Sequence, residues 1–275
     1  MKAGKFILVN GSFLPSEEYR ITVQESDAVL FSEKIRSVRT AFPFFNETLE
    51  LIKLKLLIYN QSFTDFTDRN GSELKRQLER ILTKNKHFLG AVFTITFAFN
   101  HELISWTIQS EKTESADYEL NEKGLYLAVF DKIHKPACPL SNLSLGSEVY
   151  WDIARNHLRN STADQLALIN VSGLVVEVPE SNIYLIKGKT IRGAGSENGA
   201  YMDITQPLML DIFSQLKLVY TEKEGLRRED ILEAEEMMSV NALNGVRWIV
   251  GFEEKRFFNN TIRKISDLFN QKLIN

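Results

Sequence analysis

The chain has 275 residues, 44% of them hydrophobic and 25% charged, with a net charge of −3. That length suits one large domain or two, and the near-neutral balance lacks the basic footprint that a nucleic-acid partner requires. No apolar run approaches the ~18 residues of a membrane span, so no membrane partner is expected.

The opening MKAGKFILVNGSFLP has one short apolar run and then a turn, unlike a secretory signal peptide. Within it, Phe6-Ile7-Leu8-Val9, Asn10-Gly11 and Ser12-Phe13-Leu14 predict a hairpin, because Asn-Gly accepts the positive φ of a tight turn. A helix is expected over 46–60, with Leu49, Ile52 and Leu56 on its apolar face. A clearer one covers 72–86, N-capped by Ser72, with Leu74, Leu78, Ile81 and Leu82 turned inward. Two strands, 91–99 and 102–108, pair through the Asn100-His101 link, and 111–124 reads as an exposed acidic loop.

After the strand 125–130, the run KIHKPACPLSN carries two prolines and no period, and is expected to be a connector. The expected division is an N-terminal α+β domain over 1–131, a linker over 132–142 and a C-terminal α/β domain over 143–275. In the second domain a helix opens near Ser147, followed by the strands QLALIN, GLVVEV and SNIYLIKG. The glycine-rich RGAGSENGAYM then leads into a helix near Asp203, with Pro207 in its first turn, where proline is tolerated. A short acidic helix over 228–236, the strands MMSVNA and GVRWIVGF, and a closing amphipathic helix over 260–274 complete the pattern. The fold class is α/β (α+β) in two units.

Glu177 interrupts the apolar run Val175, Val176 and Val178. An ionised carboxylate among valines is costly without a partner. It either ends a strand and faces solvent or meets a cation. Cys138, the single cysteine, excludes an intrachain disulfide and fits a cytoplasmic location. His134 and His157 lie near it in sequence, but between Pro136 and Pro139 it reads as an inert loop thiol. The four histidines have no ligand spacing, so no metal is expected. Arg36 and Arg247 could receive an acidic ligand, although surface arginines are common.

The run ADQLALINVSGLVVEVPESNIYLIKGKTI resembles the class IV pyridoxal-phosphate (PLP) enzymes: branched-chain and D-amino-acid aminotransferases and aminodeoxychorismate lyase. Asp164, Gly173, Val175, Glu177, Asn182 and Tyr184 fall on that family's pattern without a gap. Glu33-Lys34-Ile35-Arg36 is similar to its E-T-I-R segment, and Ala234–Phe252 to its A-D-E-V-F-L-T-N-A stretch. The resemblance implies a two-domain subunit of the D-amino-acid aminotransferase-like fold, a site in the cleft between domains and a homodimer. It gives Glu177 the role of holding the protonated pyridine nitrogen, whose charge offsets the buried carboxylate. It places Ile204, Thr205, Asn241 and Ala242 among the cofactor-binding positions.

Several positions depart from the family. Counting from Asp164, the lysine that must form the Schiff base falls on Ser144, which has no amine. Lys135, beyond two prolines, reads as a surface connector residue. Thr48 and Leu51 stand where the phosphate helix has histidine and arginine, and Asp203-Ile204-Thr205-Gln206 stands for G-I-T-R. Asp203 adds negative charge where a phosphate would sit, and the glycines common before E-T-I-R are missing from SDAVLFSEKIR. The expected protein is a class IV aminotransferase-like chain with a decayed site, non-catalytic, with PLP absent or weakly bound. Its partners would be a second copy and a small acidic metabolite. The alternative is an active PLP-dependent aminotransferase or aminodeoxychorismate lyase. A new reaction using Ser144 or Cys138 as nucleophile ranks last, since neither has a base beside it in sequence.

Overall fold

Asn10 and Gly11 take φ of 45° and 84°, and the strands they join are β2 (Phe6–Val9) and β3 (Ser12–Pro15). The computed structural model describes residues 2–20, 29–100, 103–222 and 225–274. The chain divides into two compact units, 1–117 and 118–275.

In the first unit, β1 (Lys2–Ala3), β4 (Val29–Arg36), β5 (Ala91–Asn100) and β6 (Leu103–Lys112) join that hairpin in one sheet, ordered β3-β2-β6-β5-β4, with β1 on β6. Ser26, Asp27 and Ala28 of the segment expected to lack glycines, His101 of the expected hairpin link and Glu102 of the strand expected after it lie outside the described residues. Helix α1 (Phe45–Ile58) buries Leu49, Ile52 and Leu56, as its periodicity predicts. Helix α2 (Ser72–Asn85) buries Leu74, Leu78, Ile81 and Leu82. Ser72 is its first residue and not its cap. The Asp68 carboxylate instead accepts from the Glu73 N–H at 2.7 Å, and the Thr67 hydroxyl accepts from the Leu74 N–H. Both lie upstream of a left-handed Gly71, a geometry that local spacing does not reveal.

His87 follows α2 and is buried. Burial, and secondarily the nearby Lys112, push its pKa down. Because the folded value is depressed, the unfolded chain takes the proton first. Stability should fall as pH drops below the ordinary histidine value of about 6.5, and level off below the folded value. The urea midpoint should therefore drop more between pH 7 and pH 5 for the native chain than for His87→Phe; parallel drops would refute this.

The second unit is built on a nine-stranded sheet ordered β12-β11-β10-β13-β14-β7-β8-β9, with β15 on β14. Its strands are β7 (Leu125–Lys135), β8 (Gln165–Asn170), β9 (Val175–Glu177), β10 (Asn182–Lys187), β11 (Thr190–Gly193), β12 (Val219–Thr221), β13 (Glu236–Asn241), β14 (Gly245–Phe252) and β15 (Lys255–Arg256). Its helices are α3 (Ser144–Leu158), α4 (Gln206–Gln215), α5 (Arg228–Glu233) and α6 (Asn260–Ile274). Glu236 anchors the closing helix: its carboxylate accepts from the Thr261 and Ile262 N–H groups at 2.9 and 3.0 Å, an anion on a helix N-terminus.

Two expectations need correction here. The boundary falls at 117/118, not at 131/132. The supposed linker 132–142 begins inside β7, which pairs in parallel with β8 and β14, and continues into a 3-10 turn over Pro139–Asn142. Lys135 precedes a proline, a position biased toward extended backbone, so the strand runs up to that proline. The loop over 111–124 is also not simply exposed: Tyr118 is buried, and its hydroxyl donates to the Ala242 carbonyl at 2.9 Å.

Candidate functional site

Two irregularities in pairing with β8 position the central groups. The register of β7 shifts between Phe130 and Lys135, and that of β9 between Glu177 and Val175. Such bulges re-aim side chains. Here the shifts fall beside Lys135 and Glu177, a cation and an anion on the two strands that flank β8.

Lys135 Nζ lies 2.5 Å from Glu177 Oε2, and both side chains are fully buried. The same oxygen accepts from the Tyr201 N–H at 2.5 Å, and Oε1 accepts from Trp151 Nε1 at 2.6 Å. Trp151, on α3, meets the Tyr201 ring edge-on at 4.9 Å. Burial pushes the Glu177 carboxyl up and the Lys135 amine down from their ordinary values, and each partner pulls the other back toward its charged form. The indole and amide N–H groups lower the carboxyl further. Three donors facing a carboxylate hold it as an anion, with Lys135 as its cation. Of the two roles open to Glu177, meeting a cation is the one realised.

Lys135 is therefore not a surface connector residue. The misreading has a physical cause: a lysine between histidine and proline gives no hydrophobic signal, and its burial depends on a carboxylate forty-two positions away in sequence.

A second cluster fixes the segment that leads into α4. The Asn182 side-chain amide donates to the Tyr201 carbonyl and accepts from the Asp203 N–H. Asp203, nearly buried, accepts on Oδ1 from the Thr205 N–H at 2.9 Å and the Thr205 hydroxyl at 2.6 Å. Ile204 is half-buried in the turn between them. Gln206 reaches Glu222 at 3.4 Å, an oxygen shared with the Tyr220 hydroxyl at 2.7 Å. Burial, then the hydrogen bond to Glu222, push that phenol well above its usual range.

Asn241 is buried at the end of β13. Its Nδ2 donates to the Ser181 hydroxyl at 2.8 Å, and its Oδ1 accepts from the Leu243 and Asn244 N–H groups. Ala242 is buried beside it. Ser144 is half-buried at the first position of α3. The loop leading to it is tied to the segment before Asp203: Asn142 donates to the Ser196 and Ala200 carbonyls at 2.8 and 2.7 Å and accepts from the Met202 N–H.

Cys138 lies 3.3 Å from the Ser141 hydroxyl, whose hydrogen bond holds the thiol below its usual range. His157 packs instead against the Phe130 ring at 5.0 Å. Arg36 donates to the Asp117 carbonyl, whereas Arg247, half-buried on β14, is pushed down by burial. In the first unit, Thr48 is buried on α1, its hydroxyl bonded to the Phe44 carbonyl, and Leu51 is half-buried on the same helix. Among the described residues no cluster of acidic, histidine or cysteine side chains could hold a metal, and no helix is long and apolar enough to cross a membrane.

The profile of the family Amino-transferase class IV matches residues 63–251. The chain belongs to this family. No curated protein sequence matches it, but its fold is shared with solved members. A branched-chain aminotransferase from Thermoproteus uzoniensis, with norvaline, superposes with a TM-score of 0.82 at 17% identity, over 98% of this chain and 95% of that one. A putative 4-amino-4-deoxychorismate lyase from Legionella pneumophila gives 0.78 at 17%, covering 94% and 97%. An aminotransferase from Brucella abortus bound to the co-factor PLP gives 0.82 at 12% identity, covering 100% of both chains. The α/β class and the class IV fold expected from the sequence are borne out.

Proposed function

We propose that this class IV chain does not carry out PLP-dependent amino-group transfer and works instead as a binding or partner protein on that fold. The observation that carries this reading is the Lys135–Glu177 contact at 2.5 Å, with both groups fully buried. PLP asks for an acceptor at its ring nitrogen, an amine for its aldehyde and a cationic cup for its phosphate. Here the acceptor already has three donors, Ser144 offers no amine, and Asp203 and Gln206 replace glycine and arginine of the family pattern. The residues do not fit the cofactor. The family resemblance extends the proposal to a cytoplasmic homodimer. A small acidic metabolite is the proposed ligand class, with Arg247, charged and half-buried, as its point of attraction.

A second reading, an active aminotransferase or aminodeoxychorismate lyase, has one observation in its favour. Burial depresses the Lys135 amine, and a lowered amine pKa is what a Schiff-base lysine needs. One experiment separates the two. Purified protein is incubated with PLP, reduced with borohydride and peptide-mapped. We expect no visible absorbance band and no labelled lysine; a label on Lys135 would replace the first reading with the second.

A further inference from the structure

We propose, resting on the reading above, that this chain carries its own substitutes for both charged ends of the cofactor: the Lys135 ammonium in place of the ring-nitrogen cation, and the Asp203 carboxylate in place of the phosphate. Two separate sets of contacts support this. At one end, a buried carboxylate that needs a cation has one from its own chain. Glu177 offers about four lone-pair sites, and Lys135, Trp151 and Tyr201 occupy three of them. A pyridine ring needs its nitrogen within about 3 Å of that carboxylate, where the lysine head already stands 2.5 Å from Oε2. At the other end, the backbone and hydroxyl donors of Thr205 converge on Asp203 Oδ1 at 2.9 and 2.6 Å. An incoming phosphate would meet a carboxylate on the donors it requires, a like-charge encounter in a buried setting.

Asn182 links the two ends. Its side chain contacts Tyr201, whose N–H serves Glu177, and the N–H of Asp203. The whole line from Lys135 to Thr205 is thus satisfied by protein groups. Glu177 there has a cation of the chain and Asp203 has the Thr205 donors, so the stability of this fold should not depend on a cofactor. A cofactor-requiring site behaves in the opposite way, because a ligand that binds only the folded state raises stability by mass action.

The test is thermal unfolding of the full chain with millimolar PLP or inorganic phosphate as probes. The wild-type melting temperature should move with neither. Lys135→Met should lower it by roughly 10 °C, the loss expected when one member of a buried pair is removed, and adding Glu177→Leu should restore most of that loss. Asp203→Asn keeps an acceptor for Thr205 but removes the charge, and inorganic phosphate should then raise its melting temperature where it leaves the wild type unmoved. If Lys135→Met does not fold, the double variant and Asp203→Asn still decide the matter. A wild-type shift of several degrees with either probe, a Lys135→Met protein as stable as the wild type, or an Asp203→Asn protein indifferent to phosphate would overturn the proposal. A wild-type shift without a borohydride-fixed label would overturn it alone; a label would remove the reading on which it rests.

Discussion

Replacing Trp151 by alanine should cost about 3–5 kcal/mol of unfolding free energy, measured by urea denaturation at neutral pH. Trp151 is 2% exposed and packs among Ala154, Leu166, Leu168, Val176 and Tyr201, so alanine opens a cavity against a sheet that cannot close it. Its indole N–H also donates to Glu177 at 2.6 Å. Phenylalanine separates the two contributions. It keeps most of the apolar contact and removes only the donor, and should cost about 1.5–3 kcal/mol, the range for a hydrogen bond to a charged group. A loss under about 1 kcal/mol for the alanine variant would mean that the indole neither fills this core nor supports the carboxylate.

This residue also shows where the sequence was informative and where it stopped being so. Trp151 sits on a helix that the pattern around SEVYWDIARNHLRN predicts, yet nothing in that pattern tells which strand its indole meets. Elements with strong periodicity were legible because local spacing decides them: Leu74, Leu78, Ile81 and Leu82 are buried as their spacing requires. The Asn10-Gly11 hairpin was legible for the same reason, since the turn chemistry is local. The gap-free family pattern from Asp164 to Tyr184 identified the fold.

What stayed hidden depends on distant partners. Lys135 is buried by Glu177, and Lys55, an apparently misplaced cation on α1, is buried against the Glu33 carboxylate and over the Phe31 ring. In both cases hydropathy assigns the lysine to solvent, and only the fold supplies the counterion. Asp203 was read as a repulsive charge. It also closes the turn ahead of the helix, because its oxygen lies on the donors of Thr205. A carboxylate three residues before a helix with proline in its first turn was the available signal.

Gly199→Ala should destabilise the protein by about 2–5 kcal/mol, well beyond the equivalent change at Gly188. Both glycines have left-handed backbones, with φ of 78° and 59°, and alanine there costs about 1–2 kcal/mol on conformation alone. The surroundings differ. A methyl group at Gly188 meets nothing within 4 Å, whereas one at Gly199 would lie 2.6 Å from the Pro136 carbonyl oxygen and 2.8 Å from the Ala137 Cα. Those are backbone atoms directly after Lys135, so no side-chain rotation relieves the clash, and overpacking adds about 1–3 kcal/mol. The glycine-rich segment read from the sequence is thus a close-packing device, and it lies against the strand end that delivers Lys135 to Glu177. Urea unfolding of the two variants side by side tests this: Gly188→Ala should lose only the conformational cost, and equal losses at the two sites would show that the segment does not press on Pro136.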